Sequence, residues 1–506
     1  MLTKITSATT VGIQTYHIDV EVDLSFGMLQ FNIVGLPDAA IRESKQRIMT
    51  ALKQCGIRLP ERKITVNLAP ADIKKEGTVF DLPIALGILH AAEIIILEKE
   101  FLHETLFLGE LSLDGSIKPV KGVLPIAHDS VAMGKRRMVV APENAQEASL
   151  SLAMEIIAAG NLVELIAYIR GEKRIIPTVI DLSRLSAIQK QTVDLSDIKG
   201  QFVAKRALCI AAAGRHNIML VGSPGSGKTM LAQRLVHLLP PLTFREIVET
   251  SKIYSVSGKL LHEGLIQQRP FRAPHHTIST AGLVGGGSFP QPGEVSLAHH
   301  GVLFLDELTE FKMSTIEVLR QPLEGRVVHI ARAQHTVSFP ASFLLVAAMN
   351  PCPCGFLDDR RRPCVCSQQQ VQRYRTRISG PILDRIDLHV AVHSMNYEMV
   401  ESSKKSDTDY TLIAEIETAR TAQEQRFGNE ERMNAHMTPH EVEQWCILSD
   451  GAQRIVRQSF DKLGLTMRGY HKLLKVARTI ADLKGCEIID AVHIQEAMMY
   501  RSVDRS

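Results

Sequence analysis

A glycine-rich run ending in lysine and threonine has the residue types and spacing of a phosphate-binding loop. Residues 222–229 read Gly-Ser-Pro-Gly-Ser-Gly-Lys-Thr, the full G-x-x-x-x-G-K-T pattern. Backbone N–H groups of such a loop wrap phosphates, and the following helix adds the positive end of its dipole. Lys228 can reach the β- and γ-phosphates, and the Thr229 hydroxyl can bind Mg²⁺. The predicted nucleotide contacts are Gly222, Ser223, Pro224, Gly225, Ser226, Gly227, Lys228 and Thr229.

Two later apolar runs end in side chains that could complete this chemistry. Residues 302–305 are followed by Asp306 and Glu307. Asp306 is placed to hold Mg²⁺, and Glu307 to act as the general base that aligns the attacking water. The run 343–349 ends in Asn350, whose amide could orient that water or touch the γ-phosphate. A turn residue before Pro351 is the simpler interpretation of this asparagine.

Four cysteines form two C-x-C pairs, which could hold a metal ion. Their thiolates could close a tetrahedral Zn²⁺ site in a cytosolic protein. C-x-C is less usual than C-x-x-C for zinc, and a redox pair or free thiols remain alternatives. With four protein ligands the zinc would be structural, since no position would be open to substrate. The cysteines are Cys352, Cys354, Cys364 and Cys366.

The elements around these motifs predict three domains and a linker. Residues 1–170 mix strand and helix signals, with strands at 17–24, 28–34 and 63–68 and helices at 37–55 and 79–92; we expect an α+β domain whose first two strands form a hairpin. Residues 171–195 are a linker. Residues 196–395 alternate strand and helix and predict a parallel-sheet α/β core. Residues 396–506 begin polar and continue as about five amphipathic helices.

Composition places the chain among ordinary globular proteins. It has 506 residues, 45% hydrophobic and 22% charged, with a net charge of +3 that neither requires nor excludes nucleic acid. We expect no membrane helix, because the most apolar stretch, residues 82–97, is short and interrupted by His90 and Glu93. The start lacks the pattern of a signal peptide, so we expect a cytoplasmic protein.

Local basic clusters are the candidates for binding DNA. Residues 360–377 carry six arginines, including Arg360, Arg361 and Arg362, with glutamines and Tyr374 between them. A solvated charged loop is the alternative. Residues 326–338, beginning at Arg326, predict a β-hairpin that presents Arg332 and His335. The insert 271–300 has a glycine-rich middle suited to a mobile loop.

The histidines of that insert invite a metal interpretation, which the sequence disfavours. No carboxylate or cysteine accompanies them at ligand spacing. They are His275, His276, His299 and His300.

The order of these motifs resembles AAA+ ATPases, and the longer motifs resemble the YifB/ComM family within the magnesium-chelatase-like branch. The segments that carry this resemblance are Phe271-Arg-Ala-Pro-His-His-Thr277, Pro292-Gly-Glu-Val-Ser-Leu-Ala-His-His300 and Arg320-Gln-Pro-Leu-Glu324. The resemblance implies an active site shared between subunits. It assigns Arg385 as the arginine finger and Arg468 as the second sensor, and it places the segment around Ile198 beside the adenine.

Residues 12–145 resemble a degenerate form of the Lon peptidase fold. The position of Lon's catalytic lysine holds Leu124, and the serine region 75–82 contains no serine. Because a Ser–Lys dyad needs both partners, we expect no peptidase activity. A scaffold for the ring, or a surface for DNA or a partner, is the expected role.

Together the motifs and the resemblance imply a homo-hexameric ATPase that moves DNA. The family implies a helicase that drives branch migration on single-stranded, double-stranded or branched DNA during natural transformation, with recombination proteins as possible partners. A chelatase-type remodeller of a protein partner, and a regulatory ATPase that does not translocate, are the alternatives.

Overall fold

The computed structural model describes residues 2–28, 30–181, 200–263, 265–287, 289–331, 336–357, 359, 362–393, 408–463 and 466–501. Helices and strands within these ranges form three regions that follow one another along the chain. None of the helices among these residues combines the length and the apolar character needed to cross a membrane.

The first region mixes strands and helices, in agreement with the α+β prediction. Its core contains the helix at residues 81–91, in which every residue except His90 is buried. The strands are β1 (Leu2–Val11), β2 (Gln14–Phe26), β3 (Phe31–Val34), β4 (Arg62–Ala69), β5 (Thr105–Phe107), β6 (Glu110–Leu111), β7 (Ile117–Lys118), β8 (Arg137–Val140) and β9 (Glu155–Ala158). The helices are α1 (Ala39–Gln54), α2 (Asp81–Ala91), α3 (Lys99–Glu104), α4 (Val123–Ala132), α5 (Pro142–Ala148) and α6 (Leu162–Ile169).

The predicted hairpin between residues 17–24 and 28–34 is wrong. The hairpin partner of β2 is β1, in a register that pairs Val11 with Gln14 and leaves a two-residue turn. Gly12 takes the first turn position with φ +65°, as a tight turn of this type requires. Strand β3 instead pairs in parallel with β4, and α1 supplies the long crossover that parallel neighbours need.

The second region is built on a five-stranded parallel sheet, as the α/β prediction required. Its spatial order is β11–β14–β17–β10–β18, with every recorded pairing parallel. The strands are β10 (Ile218–Gly222), β11 (Phe271–Arg272), β12 (Gly285–Gly286), β13 (Gln291–Pro292), β14 (Val302–Leu305), β15 (Val327–Ala331), β16 (Thr336–Pro340), β17 (Leu344–Met349) and β18 (Leu388–Val392). The helices are α7 (Phe202–Gly214), α8 (Lys228–Leu238), α9 (Phe244–Ser257), α10 (Leu260–Glu263), α11 (Thr280–Val284), α12 (Glu294–Leu297), α13 (Met313–Glu317), α14 (Arg320–Gly325), α15 (Gln368–Arg375) and α16 (Gly380–Leu383).

The third region contains helices and no strand among its described residues. Its members are α17 (Thr408–Phe427), α18 (Pro439–Trp445), α19 (Asp450–Leu463), α20 (Met467–Leu483) and α21 (Ala491–Met499). Helix α20 packs against α7, α17 and α21 in the same apolar core that covers one face of the parallel sheet. Movement of this helical region would therefore directly shift residues of the sheet.

The first region docks on the parallel-sheet core through α4 and α9. Leu124 joins Leu242, Ile247 and Val248 in a shared buried cluster. Beside it, the Ser255 hydroxyl donates to a buried carboxylate oxygen of Glu147 over 2.6 Å. The position compared with Lon's lysine is thus occupied by an apolar side chain sealed between two regions. The absence of peptidase activity stays a prediction, and this packing favours a scaffolding role.

Candidate active site

The phosphate loop connects β10 to α8, at the carboxyl edge of the parallel sheet. The Lys228 ammonium donates to the carbonyls of Gly222 and Ser223 at 2.7 and 3.0 Å. It also donates to Asn350 Oδ1 at 3.3 Å, because β17, which precedes Asn350, lies next to β10. Burial lowers the pKa of Lys228. The arrangement brings together the predicted phosphate-contacting lysine and the predicted sensor amide.

Thr229 and Asp306 form a second contact beside the phosphate loop. The Thr229 hydroxyl donates to Asp306 Oδ2 at 3.0 Å, and the backbone N–H of Glu307 donates to Asp306 Oδ1 at 2.9 Å. A hydroxyl and a carboxylate this close are the hard oxygen ligands that Mg²⁺ prefers, usually with water completing its shell. These two residues fit a magnesium ion bound beside a triphosphate.

Glu307 has a backbone conformation that few non-glycine residues adopt. Its φ of +52° lies in the left-handed region, and its Oε2 is 3.5 Å from Nδ1 of His276. Left-handed backbone costs about 1–2 kcal/mol per L-residue, so the surrounding contacts must hold it. His276 was not among the predicted catalytic residues. Its place in the long motif of residues 271–277 could have marked it as a candidate.

Arg385 and Arg468 share one carboxylate although they lie far apart in sequence. Arg385 Nη2 is 2.9 Å from Glu324 Oε1, and Arg468 forms an ion pair with the same oxygen. Arg385 also donates to the Pro381 carbonyl at 2.6 Å. The two predicted arginines therefore form a single cationic group organised by Glu324.

This cationic group lies at the opposite edge of the sheet from the phosphate loop. Arg385 precedes β18, and β18 runs parallel to β10, with Ile218 opposite Leu388 and Gly222 opposite Val392. Four strand steps at about 3.3 Å each separate the two edges by about 13 Å. Arg385 and Arg468 are consequently placed away from the nucleotide site of their own chain.

The predicted DNA contacts and the predicted adenine contact lie largely outside the described residues. Ile198, Arg332, His335, Arg360 and Arg361 fall outside the described residues. The hairpin predicted over 326–338 is present as β15 and β16, paired from Val327–Pro340 to Ala331–Thr336.

Two side chains of the predicted basic surface, Arg362 and Tyr374, contact other parts of the protein. The Arg362 guanidinium lies 5.3 Å from the ring centroid of Phe356. Tyr374, expected on the DNA-facing surface, is buried and accepts from the Thr309 hydroxyl at 2.6 Å. It is therefore unavailable to stack on a base.

The four clustered cysteines converge on one point. Cys352, Cys354 and Cys364 have Sγ–Sγ separations of 3.3, 3.7 and 3.6 Å, and all four sulfurs lie within 4.8 Å of one another. Zn–S bonds of about 2.3 Å give tetrahedral S–S edges of about 3.8 Å. Backbone N–H groups of Phe356 and Val365 lower the pKa of the Cys354 thiol to about 6. The sulfur spacing and the lowered thiol pKa both suit a bound Zn²⁺ ion.

The cysteine knuckle, residues 352–366, packs against the phosphate loop. Gly355 has φ +83°, and a Cβ built there would lie 2.7 Å from Cδ of Pro224 and 3.8 Å from Cγ of Asn350. Only glycine allows this approach without displacing the loop. The knuckle thus contacts the nucleotide loop itself.

We expect Gly355→Ala to weaken ATP binding by about tenfold, because the added methyl group must push Pro224 away and disturb the loop. Titration with a fluorescent ATP analogue measures the change. Gly134→Ala is the matched control, since Gly134 has φ +84° and open space around it. Equal ATP affinities of the two variants would contradict the proposed contact.

A second group of possible metal ligands forms around the histidines of the insert. Contrary to the sequence expectation, a carboxylate accompanies them: Glu249 Oε2 lies 3.6 Å from Nε2 of His299 and 3.0 Å from Nε2 of His300. However, Nδ1 of His299 accepts from the Ser342 N–H at 3.0 Å, so its proton resides on Nε2. His300 faces Glu246 with its other nitrogen. The His300–Glu249 hydrogen bond and the nearby carboxylate of Glu246 account for this group without a metal.

Comparison with known proteins gives three family matches and several full-length relatives. The models "Subunit ChlI of Mg-chelatase", "Magnesium chelatase, subunit ChlI" and "Magnesium chelatase, subunit ChlI C-terminal" match residues 20–144, 194–400 and 407–501. "Competence protein ComM" of Haemophilus influenzae is 42% identical over 503 residues, covering 99% of this chain and 97% of that protein.

Two further relatives show how far the similarity extends. "Uncharacterized protein YifB" of Escherichia coli is 39% identical over 503 residues, covering 98% of this chain and 96% of its own. "Magnesium-chelatase 67 kDa subunit" of Heliobacterium mobile is 28% identical over 189 residues, covering 32% and 28%. Similarity thus extends along the whole chain for the first two proteins and over a third of it for the chelatase subunit.

Proposed function

This chain belongs to the YifB/ComM family of magnesium-chelatase-like AAA+ ATPases, and from that premise we propose that it is an ATP-driven DNA motor. One observation carries the proposal: the phosphate loop and the Arg385–Arg468 pair lie at opposite edges of one sheet. A chain that carries the two halves of an active site on opposite sides completes it by assembling head to tail, and such contacts form a ring when the rotation between copies closes. We propose a homo-hexamer.

ATP hydrolysis would use groups from two subunits. Lys228 and Asn350 would contact the β- and γ-phosphates, while Thr229 and Asp306 hold Mg²⁺. Glu307 would align the attacking water and accept its proton. Arg385 and Arg468 of the adjacent copy would neutralise charge on the γ-phosphate as it leaves, which is the action of an arginine finger.

DNA would be held by the basic segments that the hydrolysis site does not use. Hairpin β15–β16 leads to Arg332 and His335, and the segment 360–377, which begins within the knuckle, carries six arginines. Contacts of this kind bind the phosphate backbone regardless of base sequence. The Haemophilus relative is named a competence protein. We therefore propose branch migration of homologous DNA during its integration in natural transformation.

The knuckle is proposed to hold structural Zn²⁺. Its four sulfurs converge at spacings that suit tetrahedral coordination. Bound zinc would keep Gly355 against Pro224 and so maintain the phosphate loop.

Purified protein with ATP and Mg²⁺ is expected to unwind forked DNA and four-way junctions. The assay separates labelled strands on a gel at limiting and saturating ATP. Lys228→Ala is the control, since loss of the phosphate-contacting lysine should abolish nucleotide-dependent movement. Robust ATP hydrolysis without movement of any branched substrate would contradict the motor.

A chelatase-type remodeller is the second candidate, favoured by the chelatase names of the matching family models and by the Heliobacterium relative. Stimulation of ATP hydrolysis by a porphyrin-binding partner, rather than by DNA, would support it. A regulatory ATPase without translocation is a third possibility. It would be favoured if Arg332→Ala left hydrolysis unchanged and the protein did not bind DNA.

A further inference from the structure

A cavity of about 350 Å³ surrounds the Arg385–Arg468 pair and carries a large excess of positive charge. We call it the basic cavity. Among the residues that the structure describes, six cations line it against two carboxylates, Glu324 and Asp387, so four positive charges lack a counter-charge within this lining. The cations are Arg215, Arg326, Arg385, Arg468, Lys472 and Lys475.

The two carboxylates are already engaged by other cations. Glu324 pairs with Arg385 and Arg468. Asp387 Oδ1 is 3.1 Å from the Lys472 ammonium. Although burial opposes the charged form, Lys472 and His216 hold the pKa of Asp387 well below its usual range. Neither carboxylate is free to neutralise a further cation.

Arg326 is the cation of this cavity whose side chain has no partner among the described residues. Within the described part of the chain, its guanidinium has no ion pair or hydrogen bond, whereas Arg215 faces Glu246 at 3.5 Å. Burial and the charge of Arg432 lower the pKa of Arg326. A half-buried cation among other cations is unfavourable unless an anion joins it.

The position of Arg326 also separates it from the hairpin end expected to contact DNA. Arg326 directly precedes β15, at the base where Val327 pairs with Pro340. The other end, where Ala331 pairs with Thr336, is four strand steps away, or about 14 Å. The arginine shares its surroundings with Arg385 and Arg468 rather than with the hairpin end.

We propose that Arg326 contacts the triphosphate of the nucleotide bound by the adjacent subunit, as a third cation beside Arg385 and Arg468. The proposal rests on the shared site proposed above. A triphosphate supplies the negative charge that the basic cavity lacks, and it would reach Arg326 only when two copies assemble. Glu324 holds the other two arginines in place until then. Arg326 is thereby removed from the predicted DNA contacts.

The test is hydrolysis in the absence of DNA, with Arg326→Gln compared with Arg326→Lys. Gln keeps a polar side chain but removes the charge, so we expect roughly 10²-fold slower turnover, with a smaller loss for Lys. ATP affinity and thermal unfolding should match the unchanged protein. Unchanged hydrolysis together with weakened DNA binding would overturn the proposal, as would equal losses for Gln and Lys.

Mixed assemblies then show on which subunit Arg326 acts. Arg326→Gln retains an intact phosphate loop, and Lys228→Ala retains an intact Arg326. Mixing them should partly restore hydrolysis. No recovery would overturn the proposal if an Arg385→Ala and Lys228→Ala mixture does recover. If that reference mixture also fails after demonstrated subunit exchange, the shared site itself is wrong and the assignment of Arg326 falls with it.

Discussion

Replacing Arg385 with alanine is expected to slow ATP hydrolysis by about 10³–10⁵-fold, the usual contribution of an arginine finger. ATP binding should persist, because Arg385 lies at the sheet edge opposite Lys228 and touches no part of its own phosphate loop. Phosphate release measures turnover, and equilibrium titration with a non-hydrolysable analogue measures affinity. The predicted signature is a large loss of turnover at unchanged affinity.

Mixing Arg385→Ala with Lys228→Ala tests whether the arginine acts between subunits. Each variant alone has an incomplete site, but one interface of a mixed ring combines an intact Lys228 with an intact Arg385. Hydrolysis should partly return. Arg58→Ala, at an exposed position in the first region, controls for loss of a positive charge. Absence of recovery in rings shown to exchange subunits would contradict the shared site.

Glu307→Gln is expected to slow ATP hydrolysis by about 10²–10⁴-fold while ATP and DNA remain bound. The amide keeps the shape of the side chain but cannot accept a proton from water. The Thr229–Asp306 contact should be unaffected, because Asp306 receives the backbone N–H of residue 307 rather than its side chain. A filter-binding assay should find the variant retained on DNA in the presence of ATP.

Glu310→Gln is the matched control, since it removes a nearby exposed carboxylate that pairs with Arg377. It should leave DNA-independent hydrolysis unchanged. Retained activity in Glu307→Gln would show that another group accepts the proton, and His276, 3.5 Å from Glu307, would be the first to examine.

Sequence reasoning was most successful where a function depends on neighbouring residues. The phosphate loop lies between a strand and a helix as predicted, and Asp306 follows an apolar strand. It failed for β3, whose residues were paired with the preceding strand although they join β4 in parallel. Alternation of polar and apolar residues indicates a strand, but it carries no information about the partner. The same limit hid Glu249, which comes from α9 to meet His299 and His300.

The sequence by itself determined the nucleotide chemistry, because a phosphate loop needs only consecutive residues with the right backbone freedom and side chains. It also determined the family, through motifs spread along the whole chain. Only the tertiary structure decided that Arg385 and Arg468 meet at Glu324 on the far edge of the sheet, and that Gly355 touches Pro224. Such contacts depend on strand order and strand direction, which join residues that lie far apart in sequence and that no local spacing relates.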